Sequence, residues 1–285
     1  MDRQGYGMGD RAVDAHLTHL ARLGFRPGTV YQRERTLARL VGHTKRPALT
    51  ATLDELRAFT GRPDIGRAAQ RSEVFHLRGF YRWAVLEELR ADDPTLRLEI
   101  PRVPRRYPRP MPERYVSRCL TETPERLRPW FWVAYYTGLR ASEIAGLRAD
   151  DIGDRWILVR EQKGGDEGAV PIPPALRPIL AGLPSSGWLF PKLGPGAAGP
   201  ITGTQLSVLA NRWLRAEEIP HSFHSIRHAF ITNVYRVNHD LRMAQRLARH
   251  RSIQSTLLYA AVDDDEALAT VGALPDFGPG IRAVA

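Results

Sequence analysis

Cysteine occurs once in 285 residues, at Cys119. A single thiol excludes an intrachain disulfide and any zinc site built from several cysteines, and it suits a reducing compartment. No apolar run approaches the ~18 residues a membrane-spanning helix needs. The polar opening Met1-Asp2-Arg3-Gln4-Gly5 carries no hydrophobic secretion signal. A reducing, cytoplasmic compartment is therefore expected. Lysine is almost as scarce: three of the 41 basic residues are lysine (Lys45, Lys163 and Lys192) and the other 38 are arginine. Against that background a lysine at position 163 stands out.

What is present is positive charge. The formal net charge is +10 and the isoelectric point near 10.2, a balance that favours a polyanion such as nucleic acid. The arginines are scattered over several predicted helices rather than gathered on one amphipathic face, so a membrane-surface helix is disfavoured. The length accommodates two ordinary domains.

Residues 10 to 96 read as a small helical domain. Val13, Leu17, Leu20 and Ala21 form a stripe ended by Gly24. Thr29 reads as an N-cap with Gln32 at the capping-box position, and Val30, Leu37, Leu40 and Val41 as the inner face. Leu53, Leu56 and Phe59 suggest a short helix; Val74, Leu77, Tyr81, Ala84, Val85 and Leu89 suggest a longer one, stopped near Asp93-Pro94. Arg33, Arg35, Arg39, Arg71, Arg78 and Arg82 occupy outer positions, where solvation accounts for most of them. Residues 100–112 are too proline-rich for helix or central strand and read as an extended linker. Its Arg102, Arg105, Arg106 and Arg109 make it a cationic strap suited to DNA phosphates.

Beyond Glu113 the pattern is again largely helical, interrupted by a β-hairpin or small meander from Trp156 to Ile172 around Gly164-Gly165. Two motifs are decoys. Gly194-Pro-Gly-Ala-Ala-Gly199 matches G-x-G-x-x-G, but Pro195 and Pro200 interrupt it and no helix begins within it, so it fails as a dinucleotide or phosphate loop. His221, His224 and His228 lie close enough to suggest a metal, yet no His-Glu-x-x-His pattern accompanies them, and Phe223 and Phe230 point to inward packing.

The chemistry lies in Arg140, Lys163, His224, Arg227, His250 and Tyr259. A tyrosine with an ordinary pKa near ~10 is about 0.1% ionised at neutral pH, a deficit of roughly 4 kcal/mol, so a nucleophilic tyrosine needs cations or a base. Arg140 and Arg227 are forked, permanent cations suited to non-bridging phosphate oxygens. Lys163, beside the hairpin turn, suits protonation of a leaving oxygen. Singly, each has an ordinary explanation: Arg140 in a salt bridge with Glu143, His250 and Tyr259 in packing. Tyr235 competes as nucleophile but lies far along the helix that carries Arg227. The order and intervals of the set decide for phosphodiester attack.

Thr137-Gly-Leu-Arg140-Ala-Ser-Glu-Ile-Ala-Gly-Leu147, Gln162-Lys163-Gly-Gly-Asp-Glu-Gly-Ala-Val-Pro-Ile172, His224-Ser-Ile-Arg227-His-Ala-Phe and Leu247-Ala-Arg-His250 … Tyr259 resemble, in order, the four boxes of the tyrosine recombinases, the lambda-integrase-like and Xer-like family. The resemblance implies a mainly α (α+β) fold. A helical, SAM-like core-binding domain (1–99) and the basic linker (100–112) would precede a mostly helical catalytic domain with a small antiparallel sheet (113–275) and a tail (276–285). It implies that Tyr259 attacks DNA to give a 3′-phosphotyrosine. Arg140 and Arg227 would hold the phosphate, Lys163 act as general acid, and His224 and His250 assist. No cofactor and no metal are implied. The partners implied are double-stranded DNA at specific core sites and a synaptic tetramer of the protein itself, often held by a C-terminal segment, here Glu266 to Ala285. Two departures stand out. Arg249 replaces the glycine that usually precedes the last histidine, which puts a left-handed cap there in doubt. With about ten residues before the first helical stripe, an arm-binding domain is expected to be absent. The expected role is integration of phage or mobile-element DNA. The alternatives are a Xer-like enzyme resolving chromosome or plasmid multimers, a type IB topoisomerase and a DNA-binding protein without catalysis.

Overall fold

Asp10 opens the first helix: its carboxylate accepts the N–H of Ala12 at 3.1 Å and, from a distant turn, that of Ala48 at 2.5 Å. The computed structural model describes residues 10–104, 107–160, 168–192, 194, 198–250 and 252–260. The chain divides into two compact units, Met1–Arg105 and Arg106–Ala285. Among the described residues no helix is long and apolar enough to cross a membrane.

The first unit holds helices α1 (Arg11–Arg22), α2 (Pro27–Thr44), α3 (Leu53–Thr60) and α4 (Arg67–Leu86). Their apolar stripes converge on Leu37, Leu40, Leu56, Phe59, Val74, Leu77 and Phe80, each at most 1% exposed. Burial at that depth contributes roughly 1.5–3 kcal/mol per large side chain. Helix α2 starts two residues before the expected cap at Thr29, because Pro27 sits at its first turn with φ already set for helix. Helix α4 stops at Leu86, short of Leu89, where Glu88 turns left-handed at φ 57. Two arginines expected to be merely solvated are structural: Arg39 binds Glu73, and Arg78 donates to the Leu98 carbonyl at 2.9 Å.

The second unit contains α5 (Glu113–Thr121), α6 (Arg128–Thr137), α7 (Ala141–Ala145), a hairpin of β1 (Trp156–Val159) and β2 (Gly168–Pro171), then α8 (Arg177–Ala181) and α9 (Gly203–Ala216). It ends with α10 (His224–Asn238), α11 (Leu241–Ala248) and α12 (Gln254–Ala260). The strands pair antiparallel from Trp156↔Pro171 to Val159↔Gly168. Its core joins Met111, Phe131, Ile144, Ile157, Leu206, Leu214 and Ile226, so the last residues of the proline-rich stretch belong to this core. Glycine is required at two places. Gly138 ends α6 at φ 64, where an added Cβ would run into the Phe230 ring. Gly203 lets α9 approach α7, since a Cβ there would lie 2.6 Å from Ser142 Cα. The first approach brings the end of α6 beside α10, and the second seats α9 on α7.

Candidate active site

Helix α10 carries the centre of the site in its first turn and a half. Its register places His224, Arg227 and His228 on neighbouring faces. Arg227 is 2% exposed, and its two terminal nitrogens donate to the carbonyls of Gly138 and Ala248, the ends of α6 and α11. Those carbonyls are left over at helix termini, and the guanidinium fork satisfies both. Burial, and then the charge of Arg140, pushes Arg227 down to about 9, so it stays protonated at neutral pH.

Tyr259, on α12, is 4% exposed and packs with Ile231, Ala244 and Ala248. Its hydroxyl lies 2.5 Å from His228 Nδ1. The ring sits 5.5 Å from that of His228 and 6.0 Å from that of His250. Burial raises the phenol to about 12, while Arg227 and Arg140 pull in the opposite direction. Burial lowers His228 to about 4, helped by His224 and Arg227. With both groups neutral, the tyrosine donates and Nδ1 accepts in the tautomer that carries the imidazole proton on Nε2. His250 is also lowered to about 4, by burial and then by Arg227 and Arg140; its Nδ1 is 2.9 Å from the buried Thr256 hydroxyl. His224 keeps contact with solvent, lies 4.6 Å ring to ring from His228, and is held below its usual value by desolvation, Arg227 and Arg140.

Arg140 precedes α7. Its Nη1 donates to Glu143 Oε1 at 2.8 Å and its backbone N–H to Oε2 at 2.6 Å, while the side chain stays 31% exposed. Glu143 Oε2 also accepts from Arg249 Nη2 at 2.6 Å. The left-handed cap doubted at Arg249 is present, at φ 51 and ψ 47, without glycine. The site therefore presents one neutral phenol on a neutral histidine, ringed by guanidinium groups. Such an arrangement suits attack on an anionic ester, where charge on the non-bridging oxygens is met by fixed cations.

Five of the six expected catalytic residues, Arg140, His224, Arg227, His250 and Tyr259, are linked electrostatically through the two arginines, and His224 also meets His228 ring to ring. Lys163 lies outside the described residues, as do Arg105, Arg106 and the tail from Glu266 to Ala285. Arg102 and Arg109 are exposed. Tyr235 meets His239 edge-on at 5.7 Å and packs against the cluster of Ile231, Ala244, Ala248 and Tyr259. His221 packs on Tyr115 at 5.6 Å, and among the described residues no group of three or more His, Cys, Asp or Glu is placed to hold a metal. Sequence reasoning missed His228 as the partner of Tyr259. Its i, i+4 spacing from His224 was read for metal, although the same spacing stacks two imidazoles on one face.

Residues 112–266 match the model of the phage integrase family. Tyrosine recombinase XerC of Chromobacterium violaceum (strain ATCC 12472) is 31% identical over 274 residues, spanning 89% of this chain and 91% of that relative. Tyrosine recombinase XerD of Rhizobium meliloti (strain 1021) is 29% identical over 262 residues, 81% of this chain and 83% of its own. Among solved structures, a lambda integrase dimer bound to a COC′ core site superposes with a TM-score of 0.69 at 19% identity, covering 87% of this chain and 76% of that one, which shows the shared fold. The chain belongs to the phage integrase family and is a tyrosine recombinase, an enzyme of DNA strand cleavage and rejoining.

Proposed function

We propose that the protein is a site-specific DNA recombinase that cuts and reseals double-stranded DNA at core sites through Tyr259. The phenolic oxygen forms a bond to the scissile phosphorus as the bond to the 5′-oxygen breaks, leaving a 3′-phosphotyrosine and a 5′-hydroxyl. The phenol proton passes to His228 Nδ1, Lys163 returns a proton to the departing 5′-oxygen, and Arg140 and Arg227 hold the non-bridging oxygens with His224 and His250 beside them. The reverse reaction with another 5′-hydroxyl joins exchanged strands, so the ester energy is conserved and no cofactor is consumed. The observation that carries this reading is the 2.5 Å contact between the Tyr259 hydroxyl and a histidine held neutral, inside a cluster of guanidinium groups.

Assembly of a tetramer on two duplexes follows from the need to exchange strands; a lambda integrase tetramer bound to a Holliday junction shares the fold. Integration of phage or mobile-element DNA is the role proposed. The extent of the likeness to XerC, 91% of that relative's length, favours a second reading, resolution of multimers by a Xer-like enzyme. Mapping protein-linked ends on a nicked suicide duplex tests the chemistry. Tyr259→Phe is expected to bind DNA yet form no adduct, and an adduct on that variant would overturn the assignment. The cut sequence separates the roles: an attachment site beside the gene supports integration, a multimer-resolution site the alternative.

A further inference from the structure

Arg249 is an unusual residue for its place. Its backbone closes α11 in the left-handed region, which is strained for a residue other than glycine. Glycine would make the same turn without strain. The side chain it brings is 5% exposed, and one nitrogen, Nη2, reaches Glu143 at 2.6 Å. Its Nε and Nη1 are buried and have no hydrogen-bond partner among the described residues. Such donors are uncommon and costly to leave unmade, so a purely architectural arginine would have used them.

The neighbourhood carries a charge surplus. Arg140, Arg227 and Arg249 surround one carboxylate, Glu143, and Arg249 acts on both Arg227 and His250. With Arg140 alone, Glu143 would cancel that guanidinium where a phosphate must be met. With Arg249 on its second oxygen, the carboxylate is shared, and Arg140, 31% exposed, keeps net charge and outward donors. We propose that Arg249 is a positioning residue for the phosphate site: it takes up Glu143 and thereby leaves the positive field of Arg140 directed at the scissile phosphate.

This inference rests on the Tyr259 cleavage reading, and its test separates the two. Adduct formation is timed on two nicked suicide duplexes, one with an ordinary scissile phosphodiester and one with a neutral methylphosphonate there. Arg249→Met keeps the stem without the charge, Arg249→Lys restores charge, and Arg249→Gly relieves the backbone. With Arg249→Met and Arg249→Gly, adduct formation on the phosphodiester should slow by roughly 10- to 100-fold. On the methylphosphonate the loss should shrink to about twofold, because the field has little charge left to act on. Arg249→Lys should recover most of the phosphodiester rate. Wild-type rates in Arg249→Met, or equal losses on both duplexes, would overturn the inference while leaving Tyr259 in place. A wild-type protein that forms no Tyr259 adduct on the phosphodiester would remove both together.

Discussion

Glu73 in the first unit and Glu143 in the second use the same device to opposite ends. Each is a carboxylate with a side chain about 4–5% exposed, gripped by two arginines. Around Glu73 the donors are consumed. Arg39 gives Nε and Nη2 to one oxygen, Arg62 Nη2 bridges both, and Arg62 spends its other end on the Phe59 carbonyl while stacking 4.0 Å from that ring. Around Glu143 donors are left over on Arg249, which keeps two buried nitrogens without partners among the described residues, while Arg227 close by gives its terminal nitrogens to the Gly138 and Ala248 carbonyls. One cluster is a closed knot that pins α2 to α4. The other is a positive site held open by a single carboxylate.

The largest effect is expected from breaking each knot at its carboxylate. Removing one partner of a buried ion pair costs about 3–5 kcal/mol, so Glu73→Ala and Glu143→Ala should both lower the unfolding midpoint in urea. They should differ in chemistry. Misplacing Arg140 by an ångström is enough to slow adduct formation by about 10²-fold, so Glu143→Ala molecules that remain folded should be nearly inactive. Folded Glu73→Ala should cleave at the wild-type rate. Equal cleavage defects in the two variants would erase the distinction drawn here.

A second pair of residues sharpens the comparison through pH. His16 and His228 are both lowered to about 4 by burial. His16 is 1% exposed, packs at 5.4 Å from Phe80 and 5.0 Å from Trp83, and has neither nitrogen bonded among the described residues. In either case the unfolded chain binds a proton near pH 6.5 and the folded chain only near 4. Each histidine therefore destabilises the fold as pH falls from 6.5 toward 4, and full stability lies above that window. His16→Phe should flatten this acid sensitivity of the first unit with no change in cleavage. His228→Phe should instead slow adduct formation by about 10²-fold, the usual contribution of one general base, and abolish the fall in rate expected as wild-type enzyme is acidified toward pH 4. A His228→Phe enzyme with an unchanged pH–rate profile would take that imidazole out of proton transfer.

The site was legible in the sequence where chemistry forces a residue type and spacing. Arg140, Arg227, His250 and Tyr259 stand out in the sequence as a set, and the fold brings them within electrostatic reach of one another. What escaped was decided by tertiary contact. His228 looked like a surplus imidazole because nothing local says that α12 will set a phenol 2.5 Å from it. Thr29 looked like a cap because its capping-box partner was present, yet Pro27 had already committed the backbone to helix. The left-handed turn at Arg249 runs against the preference of its side chain, and only the buried Glu143, 106 residues earlier, explains why an arginine is kept there.

The smallest effect should come from the exposed strap. Arg102 belongs to the first unit and Arg109 to the second, and both side chains are open to solvent. Neither is buried as Arg227 and Arg249 are, so any contact they make with DNA is an ordinary phosphate contact, rewarded by counterion release. Arg102→Ala and Arg109→Ala should each weaken binding uniformly across sequences and reduce the slope of log Kd against log salt by about 1, with folding and single-turnover cleavage of saturated DNA unchanged. Fluorescence anisotropy between about 50 and 200 mM salt measures this directly. Equal changes would mean that both units present an arginine to the backbone. A change in only one slope would assign the strap's grip to that unit, and no change in either would return both residues to plain solvation, leaving the positive field around Glu143 as the part of the molecule's charge with a chemical task.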